Sequence, residues 1–310
     1  MISPTQKQTA EAIVNIFETA SVLGDYGHVT LLPGDLGQLS YGRSQVTLTS
    51  GTLSSLVHEY CAVGTARFAT QLTPFLPRLE NASESLNTNR YFHNLLRASA
   101  DDPAMRRVQD RFFDDHYWRR AVNSANRMGI SSPLGVAVVY DSRIHGSWSR
   151  IRRRTNQAVG LISSIGEKKW IKAYVDERRE WLANHRILIL RKTVYRMNTF
   201  SALIEMGFWS LDLPMVVRSL EISESSLKAQ PRNTYHGPKL RSRDIIVKSP
   251  LMRGLDVRLV QLALSADKIK VGADGIFGNN SAKAVREFQK KSGLPETGEI
   301  GTTDFTKLGL

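Results

Sequence analysis

Cysteine is almost absent. Cys61 stands alone among 310 residues, so no intrachain disulfide can brace the fold. A lone thiol outside any Cys/His motif reads as a small buried hydrophobe rather than a nucleophile. Long apolar runs are missing too: the longest, residues 136–140 and 187–190, fall far short of the roughly 18 residues that a membrane span needs. The seven histidines show neither HExxH nor another ligand spacing, so no metal and no cofactor is expected. No zinc-finger spacing, RNP-like motif or P-loop accompanies the basic residues, which argues against a dedicated nucleic-acid reader. Residues 1–20 carry acidic and amide side chains where a secretion signal would have an apolar core. The expectation is synthesis in the cytoplasm without a signal peptide.

What is present is an ordinary soluble composition with a large basic surplus. Hydrophobic residues at 41% against 23% charged exclude disorder for most of the chain. Forty-two Lys and Arg against 29 Asp and Glu leave +13, which favours an anionic partner such as nucleic acid, an acidic membrane or a negatively charged cell-wall polymer, and composition does not choose among them. The length suits two domains, or one large domain with an accessory module.

Ser3-Pro4-Thr5-Gln6 is a capping-box pattern with proline at the first helical position, and a helix should follow at once. Ala10, Ile13, Val14 and Phe17 recur at helical spacing in a face ending near Leu23-Gly24, with Glu18 beside it. Residues 24–51 turn to Gly, Ser, Thr and alternating apolar positions, which predicts a hairpin or three-stranded sheet. A helix should run from Leu53 to about Arg67. Residues 70–215 read as successive helices separated by prolines and Gly166. The fold class is mainly α with a small β-sheet. Residues 221–249 lose periodicity and collect breakers, so they read as a linker. The remaining 250–310 read as an independent unit with only a small part of the charge surplus, 10 basic against 7 acidic residues over 247–310.

In that unit, Val257, Val260, Gln261 and Leu264, then Asp274-Gly275-x-Phe277-Gly278-x-x-Ser281, then Ala284, Val285, Phe288 and Gln289 closely resemble the small three-helix peptidoglycan-binding module of many wall hydrolases. Physically, the DG-x-FG loop turns the chain on glycines, Ser281 would cap the next helix, and Val285 and Phe288 would pack on Val260 and Leu264. Bacterial peptidoglycan is the partner this implies. The module should act as a tether whose removal spares the rate on soluble substrates.

Hydrolysis of a glycosidic bond needs two carboxyl groups, one to protonate the leaving oxygen and one to activate water or stabilise the cationic centre. A helix-borne Glu18 and Asp35 in a Gly-rich β segment offer such a pair. Ile16-Phe17-Glu18, Tyr26, Asp35-x-x-x-x-Ser40-x-Gly42 and Ser50-Gly51-Thr52 resemble the catalytic segment of the glycoside hydrolase family 46 chitosanases. Four further blocks follow in family order: residues 102–110, 139–146, 173–178, and Arg196-Met197-Asn198-Thr199 with Leu211-Asp212-Leu213.

The resemblance implies a lysozyme-like, two-lobed catalytic domain over 1–220, with Glu18 as general acid and Asp35 as the base of an inverting displacement. It implies Ser40 as the hydroxyl that holds the water, and Asp141, Arg178 and Arg196 as a charged network that orients the acid. Asp25 is the competing second carboxylate, at the closer spacing of other lysozyme-like enzymes. Two positions depart from the family: Leu36-Gly37 replaces Arg-Gly after the catalytic Asp, and Ser54 replaces an acidic residue that would recognise glucosamine ammonium. With +13 overall, these departures make a muramidase the leading expectation, acting on the periplasmic wall after phage lysis or contractile-system delivery. A chitosanase is the alternative, and a non-catalytic wall-binding protein the second. No immunity or delivery partner is legible.

Overall fold

Ser3 does cap the first helix. In the computed structural model, which describes residues 2–31, 37–43 and 45–310, helix α1 (Pro4–Thr19) opens with Ser3 Oγ accepting from the Gln6 N–H at 3.2 Å and Gln6 Oε1 accepting from the Ser3 N–H at 2.9 Å. It buries Ala10, Ile13, Val14 and Phe17 and stops at Ala20, which turns left-handed at φ 51°. The helix therefore ends earlier than the apolar pattern suggests. Strands β1 (Val29–Thr30), β2 (Ser40–Tyr41) and β3 (Val46–Thr47) form an antiparallel sheet in that order, with Val29 opposite Tyr41 and Ser40 opposite Thr47. Helices then dominate: α2 (Thr52–Cys61), α3 (Arg90–Ser99), α4 (Pro103–Phe113), α5 (Arg119–Met128), α6 (Pro133–Ile144), α7 (Trp148–Val159), α8 (Glu167–Ala183) and α9 (Tyr195–Glu205). Helix α2 is shorter than expected because the chain turns at Val63-Gly64, a β-branched residue followed by a helix breaker. Cys61 is half-buried at its end, and burial pushes the thiol above its ordinary value.

Contacts gather the chain into two compact units, residues 1–24 with 113–230 and residues 25–112 with 231–310. In the first, α6 is central. Every residue from Leu134 to Ser142 is buried, as its continuous apolar run requires, and α1, α5, α7 and α8 pack round it. Strands β4 (Met215–Val217) and β5 (Leu220–Ile222) pair at the end of this unit.

In the second unit, one core joins the three-stranded sheet to α2, α3 and α4 through Tyr41, Leu53, Tyr60, Phe92, Leu96 and Met105. Another core lies within the C-terminal residues, where β6 (Met252–Arg253) pairs with β7 (Ile276–Phe277) beside α10 (Leu255–Ala266), α11 (Asn279–Ser292) and α12 (Thr302–Lys307). Val260, Leu264, Val285 and Phe288 share it, as their spacing predicts. Ser281 does not cap α11. The N-cap is Gly278, and Ser281 lies inside the first turn, where its hydroxyl accepts from Gln261 Nε2 at 3.0 Å.

Motif boundaries and contact boundaries differ. Residues 221–249, read as a linker, complete β5, form a helical turn at Glu224–Leu227 and bury Thr234 and Ile245. Helix α10 has two apolar faces: Val257, Val260 and Leu264 point into the C-terminal core, while Leu259 and Leu262 join the core of the sheet-bearing lobe. Buried Arg258 on α10 pairs with buried Asp101 at 2.9 Å. The C-terminal module is thus packed on α3 rather than hanging from it. Among the described residues, no helix is long and apolar enough to cross a membrane.

Candidate active site

Glu18 sits in the last turn of α1 with its side chain 40% exposed, and its Oε1 accepts from Arg196 Nη2 at 2.6 Å. The other terminal nitrogen of Arg196 donates to Asp141 Oδ1 at 2.6 Å, and Asp141 Oδ2 accepts from Arg178 Nη1 at 2.6 Å. Asp141 and Arg178 are fully buried and Arg196 is 2% exposed. Buried Asp141 thus lies between two guanidinium groups, and an unpaired charge there would carry a large desolvation penalty. Burial opposes ionisation of Asp141, yet Arg178 and Arg196 hold its carboxyl below the usual range. Burial likewise opposes the charge on Arg196, and Asp141 and Glu18 overcome it and raise the guanidinium further.

Local sequence explains how these groups meet. Asp141 and Ser142 in the last turn of α6 and His145 at its C-cap all face Arg178 from α8: Arg178 Nη1 also donates to Ser142 Oγ at 2.9 Å, and Nη2 lies 3.2 Å from His145 Nδ1. Phe17 stacks beneath the Arg196 guanidinium at 5.4 Å and meets Tyr195 and Phe200 edge-on, while the Tyr195 hydroxyl donates to the Phe17 carbonyl at 2.7 Å. The end of α1, and with it Glu18, is held from three sides. Ser142, His145 and Tyr195 have roles that motif reading missed. The i, i+4 spacing of Asp141 and His145 was the available signal.

Burial, and after it Arg196, pushes His145 down to about 4. It is therefore neutral at neutral pH, with Nδ1 free to accept from Arg178. A depressed histidine binds its proton more readily in the unfolded chain, so between about pH 6.5 and 4 its contribution to stability falls as pH falls, and its share of the slope vanishes below 4. His145→Gln should flatten this part of the curve. Melting temperatures of both proteins from pH 7 to 3.5 check it, and equal slopes would contradict it.

Asp35 lies outside the described residues. Its neighbour in the motif, Ser40, is buried on β2 at the middle of the sheet. Gly42, the other matched position, follows β2 at φ +74°, and an added Cβ there would fall on the Gln109 carboxamide. Gln109 in turn accepts from the Arg43 N–H at 3.1 Å and donates to the Tyr26 carbonyl at 3.0 Å, while Asp110 takes the Tyr26 hydroxyl at 2.7 Å and the Arg43 guanidinium. The block at 102–110 thus clamps the sheet to α4. Asp102 closes its start, accepting from the Ala104 and Arg67 N–H groups and the Tyr60 hydroxyl.

Asp25, the competing second carboxylate, accepts from the Gly27 N–H at 3.0 Å and from Asn233 Nδ2 at 3.2 Å. Ser54 is buried on α2. Among the described residues, no group of three or more His, Cys, Asp or Glu side chains could hold a metal ion.

The family model for glycosyl hydrolase family 46 matches residues 12–215, and that for a putative peptidoglycan binding domain matches 253–308. A chitosanase of Bacillus subtilis strain 168 is 28% identical over 241 residues, covering 73% of this chain and 87% of that protein. An N-acetylmuramoyl-L-alanine amidase of Bacillus licheniformis, CwlL, is 44% identical over 69 residues, 20% of this chain and 19% of that one. The native chitosanase of Bacillus subtilis MY002 superposes with a TM-score of 0.61 at 27% identity, covering 72% of this chain and all of that one. A variant of the MY002 enzyme complexed with 6 GlcN gives 0.60 at 26%, covering 70% and 96%.

Proposed function

The chain belongs to glycosyl hydrolase family 46, and from that premise we propose that it hydrolyses a β-1,4-linked glucosamine polymer by general acid and base catalysis, with its C-terminal module binding wall polymer. The observation that carries the proposal is the carboxylate of Glu18, exposed on one side and gripped on the other by Arg196 at 2.6 Å. A general acid must present its proton in a fixed direction, and a guanidinium anchored on a buried aspartate supplies that direction. Glu18 protonates the leaving oxygen. Asp35 takes a proton from water held by the Ser40 hydroxyl, and the water attacks the anomeric carbon from the opposite face, which requires carboxyl groups roughly 6.5–9.5 Å apart.

The muramidase that leads the sequence reading gives way here to its alternative, because the relatives that match the hydrolase part are chitosanases. It stays as a second reading on one specific observation, the peptidoglycan-binding module over 253–308, to which Ser54 and the +13 charge lend support. The Glu18 network argues against a non-catalytic wall-binding protein.

Reducing-end release from fully deacetylated chitosan and from purified sacculi, with fragments identified by mass spectrometry, separates the readings. Chitosan cleavage is the expected result. Muramic acid at new reducing ends with chitosan intact would install the second reading, and no cleavage of either polymer would install the third.

A further inference from the structure

Where α3 meets the C-terminal module, the contact is polar at its centre, and both polar atoms of the Asn94 side chain are paired. Asn94, fully buried, donates from Nδ2 to Ser265 Oγ at 3.0 Å and to the Val271 carbonyl at 2.8 Å, and its Oδ1 accepts from the Ala273 N–H at 2.9 Å and Arg97 Nη1 at 3.2 Å. Arg258 donates to the Arg97 and Asp274 carbonyls, both at 3.1 Å, and lies 4.7 Å from the Tyr235 ring centre.

Beside this seam lie two adjoining cavities. One of about 630 Å³ is walled by Arg90, His93 and Arg97 of α3 and by Gly272, Ala273 and Asp274 of the module. The other, about 270 Å³, has Asp25, His28, Asn233 and Arg258 in its wall and shares Arg97 and Asp274 with the first.

In the wall of the larger cavity two guanidinium groups, Arg90 and Arg97, stand against one carboxylate, Asp274. Arg97 is half-buried, and the partner of its Nη1 is the neutral amide of Asn94. No carboxylate pairs with Arg97 or Arg90 among the described residues. Burial and then Arg258 push Arg97 below its ordinary value, against the pull of Asp274. His93 is pushed down by burial, with Arg97 and Arg90 adding to the shift. Asp274 is the nearest compensating acid, and its Oδ1 already accepts from Gln261 Nε2 and the Ile276 N–H, both at 2.9 Å. Arg258, in the wall of the smaller cavity with Asp25, is neutralised by Asp101, although its Nε has no hydrogen-bond partner. Half-buried Arg97 and exposed Arg90, neither paired with a carboxylate among the described residues, form a site for an anion brought by a ligand.

We infer that this seam is a carboxylate-binding subsite for peptidoglycan, in which Arg97 and Arg90 pair with a carboxylate borne on the wall polymer. The inference rests on the peptidoglycan-binding reading of the module. It adds that the subsite is shared, built by α3 as much as by the module, and that it reads the anionic groups that distinguish peptidoglycan from a polymer of glucosamine.

Co-sedimentation of the full chain with purified sacculi tests it, with melting temperature as the control for folding. Arg97→Gln should weaken binding about tenfold, the loss of one charge-assisted pair. Arg90→Gln, at an exposed position, should weaken it several-fold with no change in melting temperature. Soluble muramyl peptides should compete, and chitohexaose, which has no carboxylate, should not. Sacculi stripped of stem peptides locate the carboxylate: lost dependence on Arg97 assigns it to the peptide, and retained dependence to the lactyl group of the sugar. Wild-type binding by Arg90→Gln and Arg97→Gln alike, or competition by chitohexaose, would overturn the inference. Chitohexaose hydrolysis by the wild type is read separately. Its absence would remove the chitosanase reading while Arg97-dependent wall binding left this subsite in place.

Discussion

Glu18→Gln is expected to lower kcat on glucosamine oligomers by about 10²–10⁴-fold, the contribution of a positioned general acid. The amide is isosteric, and its oxygen can still accept from Arg196, but it holds no proton acidic enough for the leaving oxygen. Because the side chain is 40% exposed and Arg196 keeps its bond to Asp141, the fold should lose about 1 kcal/mol or less. Steady-state kinetics and a thermal melt check both halves. A variant retaining more than about a tenth of wild-type kcat would mean that another group supplies the proton.

Truncation after residue 249 is expected to unfold the sheet-bearing lobe. It removes Arg258 from buried Asp101 and leaves Asn94 without three of its four hydrogen-bond partners. It also takes Leu262 out of the lobe's core. A buried charge left unpaired costs about 3–5 kcal/mol and an unsatisfied buried amide about 1–3 kcal/mol more, against a whole-domain stability of only about 5–15 kcal/mol. Residues 1–249 should therefore melt well below the full chain and lose activity on soluble oligomers as well as on insoluble polymer. Replacing the pair together, Asp101→Leu with Arg258→Met, should be far milder than Arg258→Met alone, because no charge is stranded. A truncated chain with wild-type melting temperature and soluble activity would restore the simple tether.

That contrast marks where sequence reading stops. Local signals were legible: Ser3 and Gln6 announced the start of α1, the alternation at 45–49 announced the sheet, and the periodicity of Val257, Val260 and Leu264 announced a helix with a buried face. Among the site residues, Glu18, Asp141, Arg178 and Arg196 were named from family blocks, and the structure brings these four into one hydrogen-bonded chain. The docking of the module was not legible, because it depends on pairings across some 160 residues. Asp101 and Arg258 are ordinary surface types, and only their common burial reveals the pair. Ser281 misled for a related reason. A serine near a helix start reads as a cap, but here Gly278 takes that place and the hydroxyl serves Gln261.

The proposed function rests on inverting hydrolysis of a β-1,4 glucosamine polymer with Glu18 as the acid. Proton NMR of chitohexaose in the first minutes of reaction, before mutarotation, tests it most directly. The α-anomer should appear first at the new reducing end, and Glu18→Gln should produce neither anomer at a measurable rate. Initial appearance of the β-anomer, or an uncleaved hexamer under conditions in which sacculi are cut, would contradict it.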